Sequence, residues 1–184
     1  PGLKVIQPSS AYDAKGLLIS AIEDPNPVIF YEHKLLYKEK TEVPIALYNI
    51  PIGKADIKKK GNDITIVATG IMVSRALEVA DILDKDCISV EVIDPRTLVP
   101  LDEQCILESI AKTGRLLVVH EAVKRSGYGA EIASIVAEKA FDYLKAPIKR
   151  LGGHPVPIPN NKTLERAAVP QVEDIVFAIK ELMK

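Results

Sequence analysis

The chain has 184 residues, 47% of them hydrophobic, with 24 Lys+Arg against 25 Asp+Glu and a formal net charge of -1. That is enough apolar sequence for one large core or two small ones, and without a basic face that interleaves aromatics it gives no electrostatic footprint for nucleic acid or an acidic membrane. No apolar run approaches the ~20 residues of a spanning helix, and no charged-then-apolar leader opens the chain, so a cytoplasmic or matrix-like location is expected.

LKVIQP (3–8) reads as a strand. Ser9 or Ser10 then offers a hydroxyl cap, with Asp13 placed like the acidic half of a capping box. A helix follows to about Glu23, its stripe formed by Ala11, Ala14, Leu17, Leu18, Ala21 and Ile22. PVIFYEH (27–33) is a second strand, and the helix between the two predicts a parallel pairing, a βαβ unit. From 34 to 62 periodicity fades and Lys, Glu and Pro accumulate, which predicts a domain division into 1–45, a linker over 46–62, and 63–184. The lysines at 58–60 read as a solvated face, since no glycine-rich loop or helix start follows them.

A second alternating series starts with DITIVATG (63–70) as a strand and MVSRALEVADIL as a helix. ISVEVIDP, RLLVVHEA and PIKRLGG supply three more strands; DEQCILESIAKTG and GYGAEIASIVAEKAFDYL (127–144) supply the helices between them. Four strands with three crossover helices predict an α/β layer sandwich. Pro155, Pro157 and Pro159 then impose an extended surface path. A last helix carries the stripe Val172, Ile175, Val176, Ile179, Leu182 and Met183, with Pro170 suited to its first turn.

The chemistry is sparse. Cys87 and Cys105 lack CxxC or Cys/His spacing and read as reduced packing residues. His33, His120 and His154 have no second ligand at helical spacing. His120 with Glu121 ends a strand where open α/β sheets place ligands, although a strand-end histidine bonded to backbone is the plainer reading. GYGAE opens a helix after a strand but lacks the third glycine of a dinucleotide loop, so tight helix entry is expected. In SAIEDPNP (20–27), helix-end carbonyls, two prolines without N–H donors and the oxygens of Asp24 and Asn26 suit a hard cation. The alternative is an Asp/Asn turn whose side chains bond their own backbone. Gly16, inside the first helix, costs ~1 kcal/mol against alanine and points either to a close approach by another backbone or to plain cavity avoidance.

The phrases PGLKVIQPSSAYDAKGLLISAIEDPNPVIFYEHKLLY, YNIPIGKADI, VEVIDPRTLVPLD, KTGRLLVVHEA, GYGAEIAS and AVPQVEDIVFAIKEL together resemble the carboxyl-terminal part of the β subunit of thiamine-diphosphate-dependent 2-oxo acid dehydrogenases, a layout shared by the pyruvate, branched-chain and acetoin enzymes. The resemblance implies an α/β three-layer sandwich with a mostly parallel sheet, of the transketolase carboxyl-terminal-domain kind. Before it would come a βαβ remnant of a pyrimidine-binding domain. It implies oxidative decarboxylation, or acetoin cleavage, with acyl transfer to lipoyl-lysine. It implies thiamine diphosphate with magnesium held largely outside this segment, and partners that include an α subunit (α2β2), a second β subunit and the dihydrolipoyl acyltransferase core. No catalytic or cofactor-binding residue maps onto this sequence. A potassium site does, on Ala21, Ile22, Asp24 and Asn26, and the region of Gly16 would lie near subunit contacts. Pro1 is the first residue and Met72 the first methionine, so the chain is expected to be a processed product or a piece of something longer. The phrasing of VATGIMVSRALE and VHEAVKRSGYG leans to acetoin or pyruvate over branched-chain acids. An assembly or interaction domain that kept the fold and lost the reaction is the alternative.

Overall fold

Ser10 does cap the first helix: its hydroxyl accepts from the Asp13 N–H at 3.1 Å, satisfying one of the orphan donors of a helix start. A computed structural model describes residues 2–184. Strand β1 (Lys4–Ile6), helix α1 (Ala11–Glu23) and strand β2 (Val28–Phe30) form the expected βαβ unit, with β1 and β2 parallel in the register Val5↔Ile29. A 3-10 turn over Lys34–Lys38 follows.

Strand β3 (Asp56–Lys59) lies inside the span expected to be a linker. It pairs antiparallel with β5, Ile57 opposite Ile93, and forms one edge of a five-stranded sheet. The rest of that sheet is parallel, in the order β3-β5-β4-β7-β8, built from β4 (Ile64–Ala68), β5 (Val90–Asp94), β7 (Leu116–Val123) and β8 (Lys149–Gly153). Every residue of β4 and β5 is buried, as strands covered on both faces must be. Helices α2 (Ile71–Asp84) and α6 (Val172–Leu182) pack on one face around Ile66, Val79, Leu117 and Ile179. Helices α3 (Glu103–Thr113) and α4 (Tyr128–Lys139) cover the other around Val67, Ile93, Ile110 and Ile132. This is the three-layer sandwich.

Two short elements escaped the sequence reading. Strand β6 (Thr97–Val99) pairs antiparallel with β1 and gives a second sheet, β2-β1-β6, whose outer member comes from the larger unit. Helix α5 (Lys162–Ala168) follows the proline path, capped by the Asn161 side chain. Helix α4 stops at Lys139 rather than near 144, and a 3-10 turn over Phe141–Tyr143 replaces its last turn. Pro170 precedes the Gln171 cap of α6, which is closed by a capping box with Asp174.

The α1 stripe is only partly internal: Leu17 is buried, whereas Leu18 is 44% and Ile22 76% exposed. Cys87 is no packing residue but exposed in a turn with φ 58°, while Cys105 is half-buried and both are free thiols. Among the described residues no helix is long and apolar enough to cross a membrane.

Candidate functional site

The most heavily built polar region is the junction between the βαβ unit and the carboxyl ends of β4 and β5. Open α/β sheets take ligands there, outside the strand ends. In this chain its own amino-terminal segment fills the place. Ser9 donates to the Asp94 carboxylate at the end of β5, the Gln7 N–H donates to the Arg96 carbonyl at 2.9 Å, and a Cβ on Gly70, at the start of α2, would lie 2.9 Å from the Gln7 amide.

Beneath these contacts runs a charge cluster. Lys58 sits 2.5 Å from Asp13, 2.7 Å from Asp56 and 4.0 Å from Asp94, and Arg96 adds a second cation 3.3 Å from Asp13. Asp13 and Asp94 have no exposed surface. Lys58 is therefore not the solvated residue expected from its neighbours: strand β3 alternates, sending Lys58 inward and Lys59 to Asp81 and Asp84 of α2. Burial opposes the Asp13 charge, but the bonds from Lys58 and Ser10 outweigh it and hold the carboxyl below its usual range. Burial likewise opposes the Lys58 charge, and the bonds to Asp13 and Asp56 overcome it, so the ammonium is held above its usual range. At Asp94 burial wins over the Ser9 bond and the Lys58 charge, and the carboxyl is pushed up to about 6. The cluster can hold two units in register and respond to acid near that value.

His120 and Glu121 part company. His120 is buried, its Nδ1 2.9 Å from the Ala122 carbonyl, the plainer of the two expected roles. That bond makes Nδ1 the donor and leaves Nε2 a bare lone pair, without a partner among the described residues. Burial lowers its pKa, the Ala122 bond opposes this, and the charge of Arg150 adds to the lowering. The ring also explains GYGAE: a Cβ on Gly129 would meet His120 Nε2 at 2.6 Å, and one on Gly127 would meet Cε1 at 2.7 Å. Glu121 instead reaches His33 Nε2 at 3.0 Å, while the other His33 nitrogen accepts from Leu35 N–H. That pair is a second tie between the two units.

The structure brings Asp24 and Asn26 together as an Asp/Asn turn. One carboxylate oxygen accepts from the Asn26 N–H at 2.9 Å and from its side-chain amide at 3.2 Å, and the other accepts from Lys4. Those carboxylate oxygens already face a cation and two donors. No N–H past the α1 terminus returns to the last helical carbonyls among the described residues, those of Ala21 and Ile22 included. Gly16 has an internal cause. A Cβ there would lie 2.6 Å from the Ile50 side chain and 2.7 Å from Tyr48, and the Gly16 carbonyl accepts from Ile50 N–H.

Residues 53–175 match the family model of the transketolase C-terminal domain, and residues 1–40 match that of the transketolase pyrimidine binding domain. The chain belongs to the transketolase C-terminal domain family. It is 49% identical over 183 residues to the acetoin:2,6-dichlorophenolindophenol oxidoreductase subunit beta of Bacillus subtilis (strain 168), covering 100% of this chain and 54% of that protein. It is 50% identical to the mitochondrial pyruvate dehydrogenase E1 component subunit beta-2 of Oryza sativa subsp. japonica, covering 98% of this chain and 49% of the relative. The pyruvate dehydrogenase E1 component subunit beta of Rickettsia felis (strain ATCC VR-1525 / URRWXCal2) is 48% identical over 182 residues, or 99% of this chain and 56% of its own length. A solved structure described as a split gene transketolase, inactive beta4 tetramer, superposes over 100% of this chain and 58% of its own, with a TM-score of 0.81 and 25% identity. The chain thus spans about half the length of the curated relatives it matches.

Proposed function

We propose that the chain is the carboxyl-terminal part of the β subunit of a thiamine-diphosphate-dependent dehydrogenase component acting on pyruvate or acetoin, with branched-chain 2-oxo acids the less favoured substrate. The observation that carries this reading is the near-half identity to acetoin and pyruvate dehydrogenase β subunits along the whole chain. Within such a subunit this segment is a scaffold. The crevice where its sheet would take a ligand is filled by Gln7, Ser9 and the Asp13–Lys58–Asp94 cluster.

Thiamine diphosphate with magnesium does not fit the residues described. Among them no three His, Cys, Asp or Glu side chains gather to hold a metal ion, and the crevice at the ends of β4 and β5 is taken up by Gln7 and Ser9. The cofactor would sit against the rest of the subunit and an α partner. Potassium is proposed at the α1 terminus on the backbone carbonyls of Ala21, Ile22, Asp24 and Asn26, with the Asp24, Asn26 and Lys4 side chains fixing the turn. The exposed Leu18 and Ile22 on α1 supply apolar surface for the α subunit, a second β subunit or the acyltransferase core. The setting proposed is the cytoplasm or a matrix-like compartment. The division near residues 39–52 separates the end of the pyrimidine-binding domain from the transketolase-type domain.

The test is a steady-state assay of the full-length β subunit assembled with its α subunit. Thiamine-diphosphate-dependent turnover of pyruvate or acetoin is expected. No turnover of these or of a branched-chain 2-oxo acid would refute the assignment.

A further inference from the structure

Away from the filled central crevice, a concave site runs along the edge strand β8. Where β7 and β8 end, a groove of about 610 Å³ opens between β8, the proline path and α6. Its volume lies within the roughly 300–1,000 Å³ of small-molecule sites. Leu151 and Phe177 contribute apolar surface, and Lys124, Arg150 and Arg166 line its walls. An adjoining recess, which shares Lys124 and Arg150, adds Arg125.

The charges lining this groove are unbalanced. Lys4, Lys58, Lys59, Arg96 and Lys112 all face carboxylates, and in the groove Lys149 is 2.5 Å from Glu181. Lys124, Arg125, Arg150 and Arg166 take part in no ion pair among the described residues. Arg150 spends one guanidinium nitrogen on the Lys124 carbonyl at 2.9 Å. Asp174 is the carboxylate on the wall, and it already accepts from Gln171 N–H at 2.8 Å. Three unpaired cations around one groove and Arg125 in the recess beside it, in a chain of net charge -1, repel one another and raise the local concentration of an anionic ligand. Three of the four are guanidinium forks, which grip phosphate oxygens in pairs.

We infer that this groove binds a small phosphorylated molecule, its phosphate held by Arg125, Arg150 and Arg166 and its apolar part laid over Leu151 and Phe177. The groove shares no lining residue with the domain junction.

The experiment is calorimetric titration of the chain with inorganic pyrophosphate at ionic strength matched with chloride, with succinate and an oligoglutamate peptide as parallel arms. It is repeated on Arg125→Gln/Arg166→Gln. Among the described residues neither guanidinium makes a hydrogen bond or ion pair, so this variant is expected to keep its fold, as circular dichroism will check. Saturable pyrophosphate binding, tighter than succinate and weakened at least about tenfold in the variant, is expected. Three outcomes overturn the inference: no saturable heat, equal affinity in the variant, or tighter binding of oligoglutamate, which would make the groove a dock for an acidic protein segment.

Discussion

Replacing Lys58 by Met removes the cation between Asp13 and Asp94 while keeping the length and apolar character of the stem. Both carboxylates are fully buried, and removing one partner of a buried pair typically costs about 3–5 kcal/mol, because a charge is left without compensation. Arg96 remains 3.3 Å from Asp13, which places the expected loss at the lower end, about 3 kcal/mol. In a chain of this size that lowers Tm by about 6–12 °C. Urea unfolding and calorimetry at pH 7.5 measure it. Lys58→Met/Asp13→Asn should recover most of the loss, since it removes the stranded charge as well as its partner. At pH 5 the Lys58→Met loss should shrink, because Asp94, pushed up to about 6, is then largely protonated. A loss below ~1 kcal/mol, unchanged by Asp13→Asn, is the behaviour of an exposed lysine and would refute the buried cluster.

Asp94 and Asp13 respond to pH in opposite senses. The raised Asp94 pKa means the folded state binds the proton more readily, so this group favours folding below about 4 and loses that contribution as pH rises through about 6; Asp94→Asn should flatten stability between those values, and an unchanged slope contradicts the assignment. The lowered Asp13 pKa gives stability that is present above its unfolded value of 3.8 and lost as pH falls through the folded one. Gly16→Ala should destabilise by about 1–3 kcal/mol, because its Cβ would drive into Ile50 and Tyr48, the reverse of the usual gain for alanine inside a helix; a higher melting temperature would show that this contact yields. Limited proteolysis should cut first within residues 39–47, where Ile45 is 100% and Leu47 81% exposed. A first cut inside 64–150 contradicts the division.

The buried strands were the most legible part of the fold. DITIVA and VEVID are β-branched runs too short for helices, and they became β4 and β5 with every residue buried. Strand β3 was hidden by its own chemistry. A lysine run looks like a solvated connection, yet here Lys58 turns inward to Asp13 and Lys59 pairs with Asp81 and Asp84, contacts that only the fold brings together. Strand β6 is three residues long and pairs only with β1, so its signal lies in tertiary contact and not in local pattern. The Lys58 role did leave a trace: Asp13 and Asp94 each fall where an element buries its face, and a buried acid requires a cation. The Asp/Asn turn at 24–26 was readable from residue type alone, whereas the Lys4 contact to Asp24 needed the fold.

The central claim is that this segment holds the subunit together while the cofactor is bound elsewhere. Calorimetric titration of the chain with thiamine diphosphate and magnesium tests it most directly, performed on Arg125→Gln/Arg166→Gln so that the basic groove does not take up the diphosphate. The account predicts no saturable heat, with the chain folded throughout by circular dichroism. An isotherm of ordinary micromolar strength would place the cofactor site within these residues and contradict it.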